Sequence, residues 1–489
     1  MGGELTHPNK LDKNVLSIYS IGDNSYGNIT YLNKKELNIT KLFMDNYYQC
    51  FAIDSFNNLY SWGLNNYYQL ANGKNSNYLF NNEESESRKR NESNFCVLSS
   101  ESKSTISKVL GKIFYTQIEF PIQVSKIKQI ACGDGFTLFL DSSGLVYSVG
   151  KNDKGQLGYE LHNSDSQFVD GIKCNPKVTC IDFFKNKSIK IQKLICGSDF
   201  CFAIEYLDEN DLNDNFQAQE EVYSWGNNES HQLGIEDKKY KYYFNPTKST
   251  YINKILSKKK VRIEKLVCGW SHGCFLAKNN EIYLWGNPFF EYNKKYKDIE
   301  IPLNINNIKN SSKIIDISSG FNHIAVLSFS TYKDYEPELY TYGANEFGQL
   351  GYESEEIYID NFNKVLIPKS DINENLEITK VECGAYHTMV LMGKNLIYGF
   401  GQNNCQQIGR FKEEFLSVPK KWNHSIYSFF KDDIKTDEKI LIDIRCSNSI
   451  TCLLFKNKSQ IGEEIDKEKR SEEIKINLPT EDIPLKYNY

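Results

Sequence analysis

Residues 144–158 read GLVYSVGKNDKGQLG, and this stretch decides how the chain folds. The β-branched and aromatic residues at 145–149 predict a short strand, and Gly150 and Gly155 predict a tight turn after it. Leu157 then supplies an apolar anchor. The same phrase occurs seven times, with its strand glycine at Gly22, Gly63, Gly150, Gly226, Gly286, Gly343 and Gly401. A phrase that recurs at intervals of tens of residues is typical of a repeat architecture.

A second phrase alternates with the first. It reads IACGDGFTLFL at 130–140, a glycine turn followed by an apolar strand. Its other copies begin at Asp45, Cys196, Cys268, Ser319, Cys383 and Cys446. In most copies this strand runs into the next copy of the first phrase across a short Asp, Asn, Ser or Gly loop such as 141–144. Two β-rich runs joined in this way predict an antiparallel hairpin.

Together the two phrases resemble the repeat of the regulator of chromosome condensation family, which folds as a seven-bladed β-propeller. The resemblance covers about residues 17–455 and implies an all-β chain. Neither a Gly-His…Trp-Asp repeat nor a repeated Gly-Gly doublet is present, so other propeller classes fit worse. We expect one closed domain at 14–456, because a blade must stack on its neighbours. An N-terminal segment (1–13) and a charged C-terminal extension (457–489) flank it.

The two chain ends supply complementary halves of a blade. The chain begins with a strand of the first phrase and ends with a strand of the second. We therefore expect residues 450–454 to pair with residues 15–21, which leaves no free sheet edge in the ring. Long gaps between phrases predict loop insertions at about 74–117 and 205–221. A short helix is expected at 463–473 in the extension.

Composition limits the classes of function. The chain has 489 residues, a net charge of -5 and 13 cysteines, which suits a soluble globular protein and gives no phosphate-neutralising footprint for nucleic acid. No secretory signal or membrane-spanning run is present, so we expect a monomeric intracellular protein, cytoplasmic or nuclear, with reduced thiols. Gly2 fits the N-myristoylation pattern, with a chance match as the alternative. One acyl chain would anchor only weakly.

Several repeated positions are interpreted as structural. An aromatic residue precedes most strand glycines and should pack as core. An asparagine follows two residues after the glycine and should bond its own turn. Five cysteines share one repeat position, so they should lie one per blade as buried thiols, and no Cys-x-x-Cys pair exists. We expect no metal or cofactor. The aromatic residues are Trp62, Trp225, Trp285, Tyr342 and Phe400, and the cysteines are Cys132, Cys196, Cys268, Cys383 and Cys446.

The second phrase carries the candidate site. Histidines stand at the same position in three consecutive copies, at His272, His323 and His387. A metal site is one interpretation, but equivalent positions lie on a ring around the axis, so we favour hydrogen bonds to neighbouring backbone. The positions just before them vary, which is typical of a recognition face on a constant scaffold. The predicted partner-binding face consists of Asp134, Asp199, Trp270, His272, Asn322, His323, Tyr386 and His387.

No catalytic residue is predicted, because nucleophile-elbow, phosphate-loop and His-Glu-x-x-His motifs are missing. The sequence favours a non-enzymatic interaction module that binds a protein partner. The resemblance implies an alternative, a guanine-nucleotide exchange factor for a Ran-like small GTPase. In that case Asp134, Asp199, His272 and His323 would supply the polar groups that displace the Mg²⁺ and phosphate contacts. The basic N-terminal arm of the family's chromatin-bound member is reduced here to Lys10 and Lys13.

Overall fold

A computed structural model describes the parts of the chain in which the repeats lie. These are residues 17–22, 31–32, 39–44, 47–73, 116–117, 126–162, 164, 166–206, 220–237, 239–288, 299–305, 308, 312–330, 337–368, 378–393, 396–409, 411–422 and 439–457. All structural statements below concern these residues.

Seven antiparallel sheets form the seven blades of the described fold, six with four strands and one with five. Blade 1 joins the chain ends: β1 (Ser17–Gly22), β2 (Tyr31–Leu32), β28 (Lys439–Ser447) and β29 (Ile450–Asn457). Blade 2 contains β3 (Ile39–Met44), β4 (Gln49–Asp54), β5 (Leu59–Gly63) and β6 (Thr116–Gln117). Blade 3 contains β7 (Ile127–Gly133), β8 (Phe136–Asp141), β9 (Val146–Lys151), β10 (Gln167–Val169) and β11 (Ile172–Cys180).

The remaining blades follow in chain order. Blade 4 contains β12 (Ile191–Cys196), β13 (Phe200–Glu205), β14 (Val222–Asn227) and β15 (Tyr242–Lys248). Blade 5 contains β16 (Ile263–Cys268), β17 (His272–Ala277), β18 (Ile282–Gly286) and β19 (Ile299–Asn304). Blade 6 contains β20 (Ser312–Ser319), β21 (His323–Ser330), β22 (Pro337–Ala344) and β23 (Tyr358–Val365). Blade 7 contains β24 (Ile378–Cys383), β25 (His387–Met392), β26 (Leu396–Gln402) and β27 (Phe415–Lys421). Helix α1 (Asp182–Asn186) leads into blade 4, and helix α2 (Thr250–Lys259) leads into blade 5.

The blades are arranged around a central axis, as the repeats predicted. The innermost strands β28, β3, β7, β12, β16, β20 and β24 contact one another from blade to blade. Each is the strand that precedes a copy of the Cys-Gly turn. The all-β, seven-bladed propeller is therefore confirmed.

Pairing between the chain ends closes the ring. Strand β1 lies antiparallel to β29, with Ile18 opposite Leu454 and Ile21 opposite Thr451. Because β1 also pairs with β2, and β29 pairs with β28, the first and last parts of the described chain share one sheet. The predicted closure is confirmed for residues 17–21, and Gly22 extends the pairing by one residue. Residues 15 and 16 lie outside the described part of the chain.

The strand glycines are required by a close backbone approach. Their φ angles lie between +85° at Gly286 and +122° at Gly22, a region that L side chains rarely adopt. A Cβ atom on Gly226 would stand 2.4 Å from the carbonyl oxygen of Asp199, and one on Gly343 would stand 2.4 Å from that of Asn322. The glycine thus lets the end of one strand pass directly against the inner loop of its own blade.

Polar residues of the first phrase fix its turn. Asn152 Oδ1 accepts a hydrogen bond from the Leu157 amide (2.9 Å), and Ser148 Oγ donates to the Leu157 carbonyl (2.8 Å). Leu157 itself is fully buried. The same asparagine bond recurs at Asn65, Asn228, Asn345 and Asn403. The structural role predicted for this column holds at these five positions.

Aromatic residues join one blade to the next. Trp225 and Trp285 are fully buried, and each indole nitrogen donates to the carbonyl of a turn in the preceding blade, at Gln156 (3.0 Å) and Gln232 (2.8 Å). The bonds satisfy the one polar atom of each buried indole. The five repeat-equivalent cysteines are buried thiols outside any disulfide, as predicted.

Other expectations concern the insertions and the termini. Thr116 and Gln117, placed within the predicted insertion, pair with β5 as the outer strand of blade 2. Glu205, placed at the start of the second insertion, is the last residue of β13. Gly2, the segment 1–13, the expected helix at 463–473 and the rest of the extension beyond Asn457 lie outside the described residues. No helix of the described chain is long and apolar enough to cross a membrane.

The glycine geometry yields a stability prediction. Gly226→Ala should destabilise the fold by roughly 3 kcal/mol or more, because backbone strain and a clash with the Asp199 carbonyl add together. Gly73→Ala is the matched control, since Gly73 also has a positive φ (+70°) but no atom within 4 Å of the point that a Cβ would occupy. It should cost about 1 kcal/mol. Urea unfolding midpoints measure both, and equal losses would contradict the steric explanation.

Candidate functional site

The predicted site residues lie at one end of the propeller axis. The loops that follow the innermost strands form this end, which we call the inner-loop face. It comprises residues 47–48, 133–135, 197–199, 269–271, 320–322, 384–386 and 448–449. Asp134, Asp199, Trp270, Asn322 and Tyr386 belong to these loops. His272, His323 and His387 are the first residues of β17, β21 and β25, directly after three of the loops.

Backbone hydrogen bonds join neighbouring loops. The Asp134 amide donates to the Ser198 carbonyl (2.8 Å), and the Trp270 amide donates to the Phe321 carbonyl (2.9 Å). The Phe321 and Ala385 amides continue the pattern into blades 7 and 1, at 3.0 and 2.9 Å. The inner-loop face is therefore a fixed scaffold on which the side chains vary.

The three histidines are buried structural residues and are not accessible on the predicted face. His272, His323 and His387 are at most 1% exposed. Each Nε2 hydrogen-bonds a hydroxyl of the next blade, on Ser319 (3.0 Å), Thr388 (3.0 Å) and Thr451 (3.1 Å) respectively. The partners are side-chain hydroxyls rather than the backbone groups that we expected. Within the described chain no group of His, Cys, Asp or Glu residues could hold a metal ion.

Burial sets the protonation of these histidines. Desolvation lowers the pKa of His272, His323 and His387 to about 3, so each imidazole is neutral near pH 7. Each Nδ1 is buried without a hydrogen-bond partner among the described residues. Neutral rings fixed between blades can neither transfer protons to a bound partner nor attract its charges.

Blades 3 and 4 carry an ion-pair cluster. The Asp199 carboxylate contacts Lys151 Nζ at 3.1 Å and Lys154 Nζ at 2.6 Å, and Asp134 lies 3.6 Å from Lys151 Nζ. Burial alone would lower the pKa of Lys151, but the carboxylates of Asp199, Asp134 and Asp153 outweigh it and raise that pKa. The Asp199 side chain is 9% exposed and the Asp134 side chain 40%. Of these two carboxylates, Asp134 is the more accessible to solvent.

Blades 5, 6 and 7 carry an aromatic cluster. Ring centroids lie 4.9 Å apart for Trp270 and Phe321, 5.5 Å for Phe321 and Tyr386, and 5.2 Å for Phe347 and Tyr386. All three pairs meet edge to face, the favoured aromatic geometry. Trp270, Phe347 and Tyr386 are half-buried, so part of each ring faces solvent.

Tyr47 completes this aromatic cluster from the other side of the axis. It belongs to blade 2, yet its ring lies 5.7 Å from that of Phe321 in blade 6. Both rings are 5% exposed, so they close the axis at the inner-loop face. Desolvation, followed by the carboxylates of Asp134 and Asp199, raises the pKa of Tyr47. Sequence reasoning missed Tyr47 and Phe347, although Tyr47 stands at the repeat position of Trp270.

The structure thus divides the predicted face into two groups. Asp134, Trp270 and Tyr386 reach solvent. Asn322 is 1% exposed and Asp199 is 7% exposed, and both join the histidines in supporting the loops.

Seven similar blades form a closed ring, and the side chains of the inner loops differ from blade to blade. These features define a repeat propeller. Family models described as "Regulator of chromosome condensation (RCC1) repeat" match residues 127–156, 263–290 and 378–407, and also 143–204, 219–276 and 338–391. Repeats of the regulator of chromosome condensation type are therefore present in three stretches of this chain.

The matched relatives include a light receptor and a ubiquitin ligase. The ultraviolet-B receptor UVR8 of Arabidopsis thaliana is 27% identical over 291 residues, which cover 58% of this chain and 55% of the relative. The E3 ubiquitin-protein ligase HERC2 of Homo sapiens is 24% identical over 324 residues, 64% of this chain and 6% of the relative. The chain therefore spans about half or less of the length of these two relatives.

Solved structures share the fold. The crystal structure of Prp20p from Saccharomyces cerevisiae, reported with its binding properties to Gsp1p and histones, has a TM-score of 0.61 at 18% identity. The match covers 94% of this chain and 96% of that chain. Human WBSCR16 has the same TM-score at 15% identity and 89% and 99% coverage.

The buried histidines predict acid sensitivity. Their folded pKa of about 3 lies below the unfolded value, so the unfolded state binds more protons and stability falls as the pH drops below about 6.5. Replacing all three by phenylalanine, the residue that blades 3 and 4 use at Phe136 and Phe200, should flatten the pH dependence between pH 6.5 and 4.5. Thermal unfolding across this range measures the effect. His162→Gln, at an exposed position, should leave the slope unchanged. An unaltered slope in the triple variant would contradict the role of burial.

Proposed function

We propose that the protein is a non-enzymatic interaction module that binds a partner protein through the inner-loop face. The observation that carries this proposal is the aromatic cluster, in which the partly exposed Trp270, Phe347 and Tyr386 are held on a rigid ring. Rigid aromatic side chains that are partly exposed at the centre of a face are the usual anchors of protein–protein interfaces.

The arrangement supports specificity as well as affinity. Aromatic residues contribute most binding energy where they are packed and only partly exposed, because little conformational entropy remains to be lost. Beside them Asp134 supplies an exposed carboxylate that could pair with a cationic group of the partner. The proposed face therefore combines an apolar anchor on blades 5–7 with a polar contact on blade 3.

A reducing compartment suits this proposal. No disulfide joins the twelve cysteines of the described chain, and most of them are buried. We propose the cytoplasm or nucleus as its compartment, and that it acts as a monomer. Acylation at Gly2 stays a prediction.

Guanine-nucleotide exchange on a small GTPase is the second candidate. It is favoured by the fold shared with Prp20p, whose structure is reported with binding to Gsp1p. The small number of accessible polar groups on the inner-loop face argues against nucleotide exchange. Asp199 is neutralised by Lys151 and Lys154, and His272 and His323 are covered, so Asp134 alone of the four expected groups could approach a nucleotide site. Release of labelled GDP from a Ran-type GTPase, accelerated by the wild type and not by Asp134→Ala, would establish exchange.

The aromatic cluster predicts where a partner binds. A photocrosslinking amino acid in place of the exposed Glu346, beside Phe347, should capture a partner. The same amino acid in place of the exposed Glu414 in blade 7 is the control and should not capture it. With that partner purified, Trp270→Ala/Tyr386→Ala should weaken binding about tenfold or more, since truncating an interface anchor costs ~2 kcal/mol. Titration calorimetry measures the affinity.

Phe168→Ala provides the matched control. Phe168 is 65% exposed on β10, the outermost strand of blade 3, far from the axis. This variant should bind as the wild type does. Equal weakening by the control, or wild-type affinity in the double variant, would overturn the proposed face.

A further inference from the structure

Every innermost strand of the described fold carries a β-bulge at the same repeat position. The register shifts once in each of the seven inner pairings, at 39/41, 127/129, 191/193, 263/265, 314/316, 378/380 and 441/443. A bulge re-aims side chains and turns two successive residues to one side of the strand. Here that side is the axial channel, because the strands are the innermost ones.

The residue after each bulge forms a polar ring around the channel. Its members are Lys41, Gln129, Lys193, Lys265, Asp316, Lys380 and Asp443. In blades 5 and 6 the ring is internally paired, with Lys265 Nζ 2.6 Å from Asp316, and Lys380 of blade 7 pairs with Asp443 of blade 1. These contacts join neighbouring strands at one level, which shows that the ring residues face one another around the axis.

Blades 2, 3 and 4 leave three lysines of this wall without a carboxylate among the described residues. Lys193 Nζ reaches the backbone carbonyl of Glu264 (3.4 Å), and Lys128 Nζ reaches that of Gln192 (3.4 Å). Lys41, at the ring position of blade 2, forms no ion pair with the described residues. All three are exposed. Their positive charge is therefore uncompensated on one side of the channel as far as the described chain extends.

Among the described residues, the channel is covered at the inner-loop face and has exposed side chains at the opposite end, which we call the open end. Near the start of the innermost strands, at the end opposite the inner-loop face, Ile315 and Ile442 are 39% and 38% exposed. At the inner-loop face Tyr47 and Phe321 close the axis. A concave site with unpaired charge of one sign concentrates counter-ions more strongly than a flat surface does.

We propose that the open end of the axial channel binds a small polyanion with several phosphate groups, held by Lys41, Lys128 and Lys193. Adjacent innermost strands are close enough for Gln129 Nε2 to donate to the Leu194 carbonyl (2.7 Å), so lysines on neighbouring strands can reach one ligand. Ammonium groups bind phosphate oxygens through charge-assisted hydrogen bonds. This site is at the other end of the axis from the inner-loop face and does not depend on the proposed function.

Titration calorimetry with sodium tripolyphosphate tests the proposal on the full chain. The wild type should bind, and Lys41→Gln/Lys193→Gln should weaken binding by about tenfold or more. Lys177→Gln/Lys412→Gln removes the same charge from exposed positions outside the channel and should change affinity less than about twofold.

Three results would overturn the proposal. These are no binding by a folded wild-type protein, an equal loss in the two double variants, or an acidic peptide of matched charge binding as tightly as tripolyphosphate. The last would indicate general attraction of negative charge rather than a phosphate site. Far-UV circular dichroism and the melting temperature establish that each variant is folded, so that a loss of binding reports on the channel.

Discussion

The pairing of β1 with β29 is the interaction on which the rest of the structure depends. Each blade buries one sheet face against the next, so a ring of blades has no exposed face only if its last blade contacts its first. Here that contact is made within blade 1, where six residues of β1 lie in register with β29. Closure also places Ser447 beside Tyr47 of blade 2, where the Ser447 hydroxyl donates to the Tyr47 carbonyl and completes the ring of inner loops.

Closure in turn separates the residues that hold the propeller together from those free to act. Contacts between strands or blades involve the strand glycines, the turn asparagines and the interblade histidines, so these residues are not available to a partner. Asp199 joins them through its two lysines. What remains available are side chains at the two ends of the axis, namely the aromatic cluster at one end and the lysines of the channel at the other.

The fold could be predicted from the sequence because its constraints are local and repeated. A position that packs against a carbonyl oxygen requires glycine, and a position that hydrogen-bonds its own turn favours asparagine. The same residue type therefore recurs at that position in the repeats. The exposure of a loop side chain is set by its neighbours in space, and for this reason His272, Asn322 and Asp199 were assigned to a surface although they are buried. The channel was missed for a related reason. A bulge is a property of pairing between two strands, so Lys41 and Lys193 do not show as equivalent, axis-facing residues until the register is known.

Hydrogen–deuterium exchange of the backbone amides of Ser17–Gly22 tests closure most directly. The account predicts that the amides of these residues that bond to β29 exchange as slowly as those of the central strand β13, because both open only when the ring unfolds. Exchange at the rate of an unprotected chain, in a protein whose other blades stay protected, would contradict closure. The assignment of the two axial ends would then have to be abandoned.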